Sequence, residues 1–329
     1  MSRSLKKNMD KKKLLEEKFK KARQSDAVIP AFLAPDFILE QHHANDDMTI
    51  HHDKYAQDAE FSVLDTLHDN EFVIREKLYN AVEQKDIDVF LQPIVSLPQR
   101  HKKFFELYGR LKVKSGLYLP AEEYIKMASN DPILHHFDAL LLAQCIETLI
   151  TQNIKSPSIA NHEDMGYFIN ITPATLRHHG FINTLLDSLS KHKTIAKSLI
   201  FEMQYRDFMM LSPGEQKVLN GLAKIGCRFS LDHLAEIPEN VQYMKQRNID
   251  FIKVRADILK RSSMTEHGFS DLLSRKHNLD VNNIQIIAEK IEDQKTLLNI
   301  LDFDIPYGQG FLFGKPDFQG VYARHVQFY

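Results

Sequence analysis

Between residues 71 and 319, short β-branched or aromatic runs alternate with longer amphipathic stretches, and few folds accept that order. The expected strands cover 104–113, 167–171, 199–203, 228–232, 251–254 and 284–288, with an opening strand at 86–91. Helical spacing marks 132–151, 181–192, 213–225 and 241–247, and Phe72, Ile74, Leu78 and Val82 place another helix ahead of the first strand. Such alternation argues for βα units around a mostly parallel sheet. About 250 residues of it suit one (β/α)8 barrel. The expected fold class is therefore α/β, a TIM-like barrel over 71–329.

The first 70 residues have another character. Residues 1–21 carry nine Lys/Arg against three Asp/Glu, with apolar side chains too sparse for a helical face, which predicts a charged, largely flexible or partly helical arm. Residues 40–71 reverse the sign, with nine acids against Lys54, and include His42, His43, His51, His52 and His68. Apolar anchors are few there, so a flexible linker is expected. The paired histidines lack a regular metal-ligand frame and are expected to be solvated.

Across the 329 residues, 42 Lys+Arg stand against 44 Asp+Glu, a net charge of −2 that gives no global pull toward nucleic acid. Cys145 and Cys227 are far apart within apolar runs, which fits buried thiols in a reducing compartment and excludes a disulfide scaffold. No apolar stretch approaches the ~18 residues of a transmembrane segment. The start leads into charge rather than an apolar signal segment, so a cytoplasmic protein is expected.

What ends each strand is more informative. Asn170, Glu202, Asp232 and Glu289 close four apolar runs, and Lys253 sits inside a fifth. A barrel strand is buried on both sides, so such groups are costly unless paired, ligated or turned toward the C-terminal rim, where barrel enzymes hold their chemistry. With Glu106, these residues offer hard oxygen donors that suit Mg²⁺, Mn²⁺ or Ca²⁺ rather than a thiolate-loving metal. Lys253 adds a donor among the acids, and Arg110 could pair with a phosphate oxygen.

The residues around these positions resemble the EAL family of cyclic-di-GMP phosphodiesterases, from about residue 90 to 316. Gln92-Pro93-Ile94-Val95 is similar to the family's opening strand. Glu106-Leu107-Tyr108-Gly109-Arg110 stands where the Glu-Ala-Leu-x-Arg motif belongs, keeping its Glu and Arg. Asn170-Ile171-Thr172 resembles the Asn-x-Ser element, Ile287-Ala288-Glu289-Lys290-Ile291-Glu292 the Ala-Glu-Gly-Val-Glu element, and Gln309-Gly310 through Pro316 the closing Gln-Gly-x-x-x-x-x-Pro. The resemblance implies an antiparallel first strand. It also implies a metal held by Glu106, Asn170, Glu202 and Asp232, catalytic roles for Lys253 and Glu289, and dinucleotide contacts from Gln92, Arg110, Gln309 and Pro316.

The departures bear on activity. The family's Asp-Asp-Phe-Gly-Thr-Gly is Asp232-His233-Leu234-Ala235-Glu236-Ile237 here, so the second acid, a ligand of a second metal, is His233 and both loop glycines are missing. The second Glu of a Glu-x-x-Glu that anchors this loop is Tyr205. Two-metal catalysis needs both ions, and losing one would cost several kcal/mol, on the order of a thousandfold in rate.

The expected function is thus a cyclic-di-GMP-binding signalling effector with weak or no phosphodiesterase activity, keeping at most one Mg or Mn site. Two alternatives stand beside it: an active Mn/Mg-dependent phosphodiesterase giving the linear dinucleotide, and a protein-interaction platform that binds no nucleotide. The resemblance further implies a bacterial signalling role, flagellar in some degenerate members, an unidentified protein partner, and homodimerisation through the barrel's helices.

Overall fold

The structure, a computed structural model, describes residues 71–84, 87–114, 117–119, 124, 133–155, 165–262 and 265–318. The arm and most of the linker inferred from sequence lie outside these residues. The chain divides into two compact units, one comprising 1–88 and 109–141, the other 89–108 and 142–329.

In the smaller unit, α1 (Glu71–Gln84) turns Ile74, Leu78 and Ala81 into a core shared with Leu111, Leu119, Tyr124 and the first turns of α2 (Ile133–Lys155), including Phe137. The far end of β2 (Lys102–Lys114) pairs antiparallel with β3 (Leu117–Leu119). The sequence motif's Gly109 permits close packing here: an added Cβ would lie 2.7 Å from Leu141.

The larger unit is a barrel. Its strands are β1 (Asp88–Ser96), the start of β2, β4 (Gly166–Asn170), β5 (Leu199–Gln204), β6 (Arg228–Leu234), β7 (Phe251–Arg255), β8 (Gln285–Glu289) and β9 (Tyr307–Gln309). Neighbours run β1-β9-β8-β7-β6-β5-β4-β2, and a β1–β2 pairing closes the ring. From β2 round to β9 the pairs are parallel. β1 runs antiparallel to β9, as the resemblance implied, and β10 (Asp317–Phe318) adds antiparallel to β1.

Local signals set the helices between strands. Thr172, just past β4, caps α3 (Pro173–Arg177) by accepting from the Thr175 amide, which ends the strand at Asn170 and leaves that side chain at the rim. α4 (His179–Lys191) and α5 (Lys193–Ser198) lead to β5, and α6 (Tyr205–Met209) follows it. α7 (Pro213–Ile225) opens with a Ser212/Glu215 capping box and Pro213 and ends at Gly226 with φ 113°, the left-handed stop that glycine allows. α8 (Val241–Lys245) is shorter than the expected 241–247. The remaining helices are α9 (Ala256–Ser262), α10 (Glu266–Val281) and α11 (Gln294–Leu301).

Aromatic rings fill the barrel floor. Phe104 stands edge-on to Phe168, Phe251 and Tyr307 at centroid distances of 5.6, 5.5 and 5.0 Å. Ile94, Ile200 and Ile287 complete this layer. The rings leave no room beside Gly166, where a Cβ would come within 2.9 Å of Phe104 and Ile200. Polar residues one rung higher therefore stand on a rigid apolar base. Among the described residues no helix is long and apolar enough to cross a membrane.

Candidate active site at the barrel mouth

Lys253 is the centre of the polar layer. Strand alternation turns it inward from β7, and its side chain is wholly buried. Nζ lies 2.6 Å from Glu106 Oε2, 2.9 and 2.8 Å from the two oxygens of Glu202, and 4.0 Å from Glu289 Oε1. The ammonium also sits 5.2 Å from the Phe168 ring centroid, a cation–π contact with the floor.

Amide side chains extend the network toward β1 and β9. Gln309 donates through Nε2 to Glu106 Oε2 at 2.7 Å and to Gln92 Oε1 at 3.1 Å. Gln92 donates in turn to the Gly314 carbonyl at 3.1 Å, which ties β1 to the turn after β9. A residue not singled out from sequence completes this group: Tyr108 donates to Gln92 Oε1 at 3.2 Å. Burial and the adjacent Glu106 charge hold its phenol well above the usual range, so it remains a donor. Its signal in the sequence was its place two residues after Glu106, on the same strand face.

Asp232 and His233 close the rim on β6. Asp232 accepts the His233 backbone N–H at 2.5 Å through Oδ1, while Oδ2 lies 2.9 Å from His233 Nδ1. His233 adopts φ 58°, a left-handed conformation that costs a Cβ-bearing residue roughly 1–2 kcal/mol. In that conformation one residue engages both oxygens of its neighbour. The remaining positions are more dispersed. Asn170 is exposed at the end of β4, in register with Glu202. Pro316 lies between β9 and β10, and Arg110 lies farther along β2, in the smaller unit.

The electrostatics follow from crowding acids into a dry cup. Burial raises Glu202 well above an ordinary carboxyl, even beside Lys253, and pushes Glu289 up to about 8, with the Asp232 and Glu106 charges adding to the effect. Burial would raise Asp232 as well, but the His233 hydrogen bond and the Lys253 charge outweigh it and bring the carboxyl down to about 2. The same hydrogen bond raises His233 above a free imidazole. Burial opposes the Lys253 charge, yet Glu106, Glu202 and Glu289 hold its pKa well above that of a free lysine.

Four acidic side chains, Glu106, Glu202, Asp232 and Glu289, thus cluster around one buried ammonium, and burial favours the protonated form of Glu202 and Glu289. Glu202 Oε2 and Gln309 Oε1 are buried without a directional hydrogen bond, and hard oxygens in negative excess are what Mg²⁺ or Mn²⁺ requires. The residues fit such an ion in donor type and charge. Among the described residues, no three His, Cys, Asp or Glu side chains already converge in ligand geometry.

The profile described as "EAL domain" matches residues 75–316. This chain belongs to the EAL domain family. It is 26% identical over 251 residues to the cyclic di-GMP phosphodiesterase PdeA of Borreliella burgdorferi, covering 75% of this chain and 36% of that protein. It is 21% identical over 240 residues to the cyclic di-GMP phosphodiesterase PdeF of Escherichia coli, covering 73% and 31%. The chain therefore spans about a third of the length of these curated relatives. Among solved structures, the EAL enzyme Bd1971 with cAMP and cyclic-di-GMP bound superposes with a TM-score of 0.65 at 22% identity, covering 84% of this chain and 76% of that one. The FimX EAL domain of Pseudomonas aeruginosa bound to c-di-GMP gives 0.61 at 19%, covering 74% and 96%. At that identity the superpositions establish the shared barrel.

Proposed function

We propose that this EAL domain binds cyclic-di-GMP at the mouth of its barrel and hydrolyses it weakly or not at all. The observation that carries the second half is the His233 cap: where the family pattern has an acid, His233 engages both oxygens of Asp232, Oδ1 through its backbone N–H and Oδ2 through its imidazole Nδ1. A group that cannot be negative takes the place of an acid, in a cup where a second dication would need more negative charge.

Glu106, Asn170, Glu202 and Asp232 are the residues that would hold a hard cation, which when bound polarises a phosphoryl oxygen and lowers the pKa of water. The chain's own groups have separate tasks. Lys253 neutralises Glu106 and Glu202 and keeps them in place. Glu289, protonated up to about pH 8 by burial, offers a carboxyl hydrogen that can be donated to a phosphate oxygen. Gln309 and Gln92 present amides braced by Glu106, Tyr108 and Gly314, a rigid polar wall for a ligand that binds without being cleaved. The cyclic-di-GMP phosphodiesterases among its relatives and the cyclic-di-GMP bound to two structural neighbours support this choice of nucleotide.

Calorimetry with cyclic-di-GMP, in the presence and absence of Mg²⁺ or Mn²⁺, together with chromatography of the nucleotide after incubation, tests both halves. Binding with intact ligand is expected. No heat at micromolar ligand overturns the binding claim, and complete conversion of excess nucleotide that disappears in Glu106→Ala overturns the claim of weak or absent hydrolysis.

A further inference from the structure

We infer that Arg275 is the latch of the 235–240 loop and thereby a positioning residue for the His233 cap over Asp232. The loop leaves β6 from a histidine in the left-handed conformation and has none of the glycines that would make such a turn inexpensive. A strained exit of this kind persists only where the surroundings over-determine it. Arg275, on α10, supplies that constraint with all three of its guanidinium nitrogens. Nη1 donates to the Ile237 carbonyl at 2.9 Å, Nη2 lies 2.8 Å from Glu239 Oε1, and Nε donates to Asp271 at 2.7 Å, one turn earlier on the same helix. Glu236 adds a longer contact at 3.9 Å.

These contacts differ in weight. Glu236 and Glu239 are largely exposed, so their ion pairs contribute little alone. The bond to the Ile237 carbonyl is part-buried, the Ile237 side chain is buried, and Asp271 fixes the guanidinium plane that makes it. A planar fork serves a carbonyl and two carboxylates in fixed, separate directions, whereas a lysine offers its three donors from a single nitrogen on a flexible stem. The far end of the loop is held separately. Tyr205 donates to Asn240 Oδ1 at 3.3 Å, and Asn240 Nδ2 contacts Met209 Sδ at 3.7 Å. Tyr205, which stands where the family anchors this loop with an acid, keeps an anchoring contact of another kind. Between these two fixings, 235–240 is a wall with a set position, joined to His233 through Leu234, which is buried and pairs with Val254 of β7.

Only the effect on ligand rests on the cyclic-di-GMP reading; the latch itself is tested without it. Amide hydrogen exchange is followed on the full chain and on Arg275→Ala, Arg275→Lys and Tyr205→Phe. In Arg275→Ala, exchange at 234–240 is expected to quicken at least tenfold while β5, β7 and β8 keep their protection. Arg275→Lys is expected to recover part of the protection, and Tyr205→Phe to loosen only the Asn240 end. Unchanged loop exchange in Arg275→Ala overturns the latch, as does faster exchange spread over the barrel strands. Cyclic-di-GMP affinity is measured on the same samples, and a severalfold change in Arg275→Ala is expected. If the wild type binds no cyclic-di-GMP while the loop-confined exchange appears, the ligand reading fails and the latch stands. If the wild type binds and Arg275→Ala changes neither exchange nor affinity, the latch fails and the ligand reading stands.

Discussion

Replacing Lys253 with methionine isolates the charge on which the site depends. Methionine fills nearly the same stem volume, so the change removes an ammonium without opening a large cavity. That ammonium lies 2.6 Å from Glu106 and 2.8 Å from Glu202, with no solvent exposure of its own side chain and 5% or less of theirs. Removing one partner of a buried pair leaves an uncompensated charge and costs about 3–5 kcal/mol. With a urea m-value of about 3 kcal/mol per M, the unfolding midpoint should fall by about 1–2 M at pH 7.

The loss should also depend on pH, in a direction that can be worked out. Without Lys253 the buried carboxyls hold their protons to higher pH, while in the unfolded chain they ionise near 4.5. The folded state then carries more protons than the unfolded one above that pH, so the variant loses stability as pH rises and comes closest to wild type near pH 5. Adding Glu202→Gln to Lys253→Met should restore part of the midpoint, because one orphaned acid is gone. A shift below about 1 kcal/mol with no pH dependence would refute the view that Lys253 compensates these acids.

Other expected outcomes concern separate parts of the fold. Asp138 on α2 is pushed up from 3.8 to about 7 by burial, so its contribution is full below pH 3.8 and is lost as pH rises through 7; Asp138→Asn should flatten that part of the stability–pH curve, and a parallel curve counts against it. Phe168→Ala removes a fully buried ring from the floor, 5.6 and 5.4 Å from Phe104 and Phe251, and should cost about 3–5 kcal/mol in urea unfolding. His233→Asp replaces the cap with a further acid and should tighten Mn²⁺ binding at least tenfold by calorimetry. Equal affinity would mean that the cap does not compete for Asp232.

Much of this architecture was legible because barrel strands impose a severe test on polar residues. Asn170, Glu202, Asp232, Lys253 and Glu289 stood out as interruptions of apolar runs, and the structure places Glu202, Asp232, Lys253 and Glu289 in one electrostatic cluster. The helix expected from spacing at 213–225 is α7 with those bounds, and Ser212, Glu215 and Gly226 fix its ends because capping is local chemistry. Contacts distant in sequence were not legible. Gln92 and Gln309 meet across 217 positions, and Arg275 reaches Ile237 from a helix whose sequence, rich in polar residues, has little amphipathic contrast. Nothing local distinguishes Arg275 from the other basic residues of α10, because its role depends on where a bulged β6 exit brings a carbonyl.

The charge count links fold to function. Closing eight strands into a ring forces the ends of β2, β5, β6 and β8 together, and each brings a carboxylate: Glu106, Glu202, Asp232 and Glu289. Such a cup cannot keep every acid ionised unless positive charge enters it. One positive group is built into the chain, Lys253 beneath the acids, and His233 at their edge engages both oxygens of Asp232. A covalently attached cation lowers the demand for a free one, and a histidine in place of an acid lowers it further by withdrawing a negative charge. A site charged in this way should retain its shape with less reliance on dications than one with an acid at position 233. That favours a polar wall able to hold a phosphodiester over a centre able to cleave it.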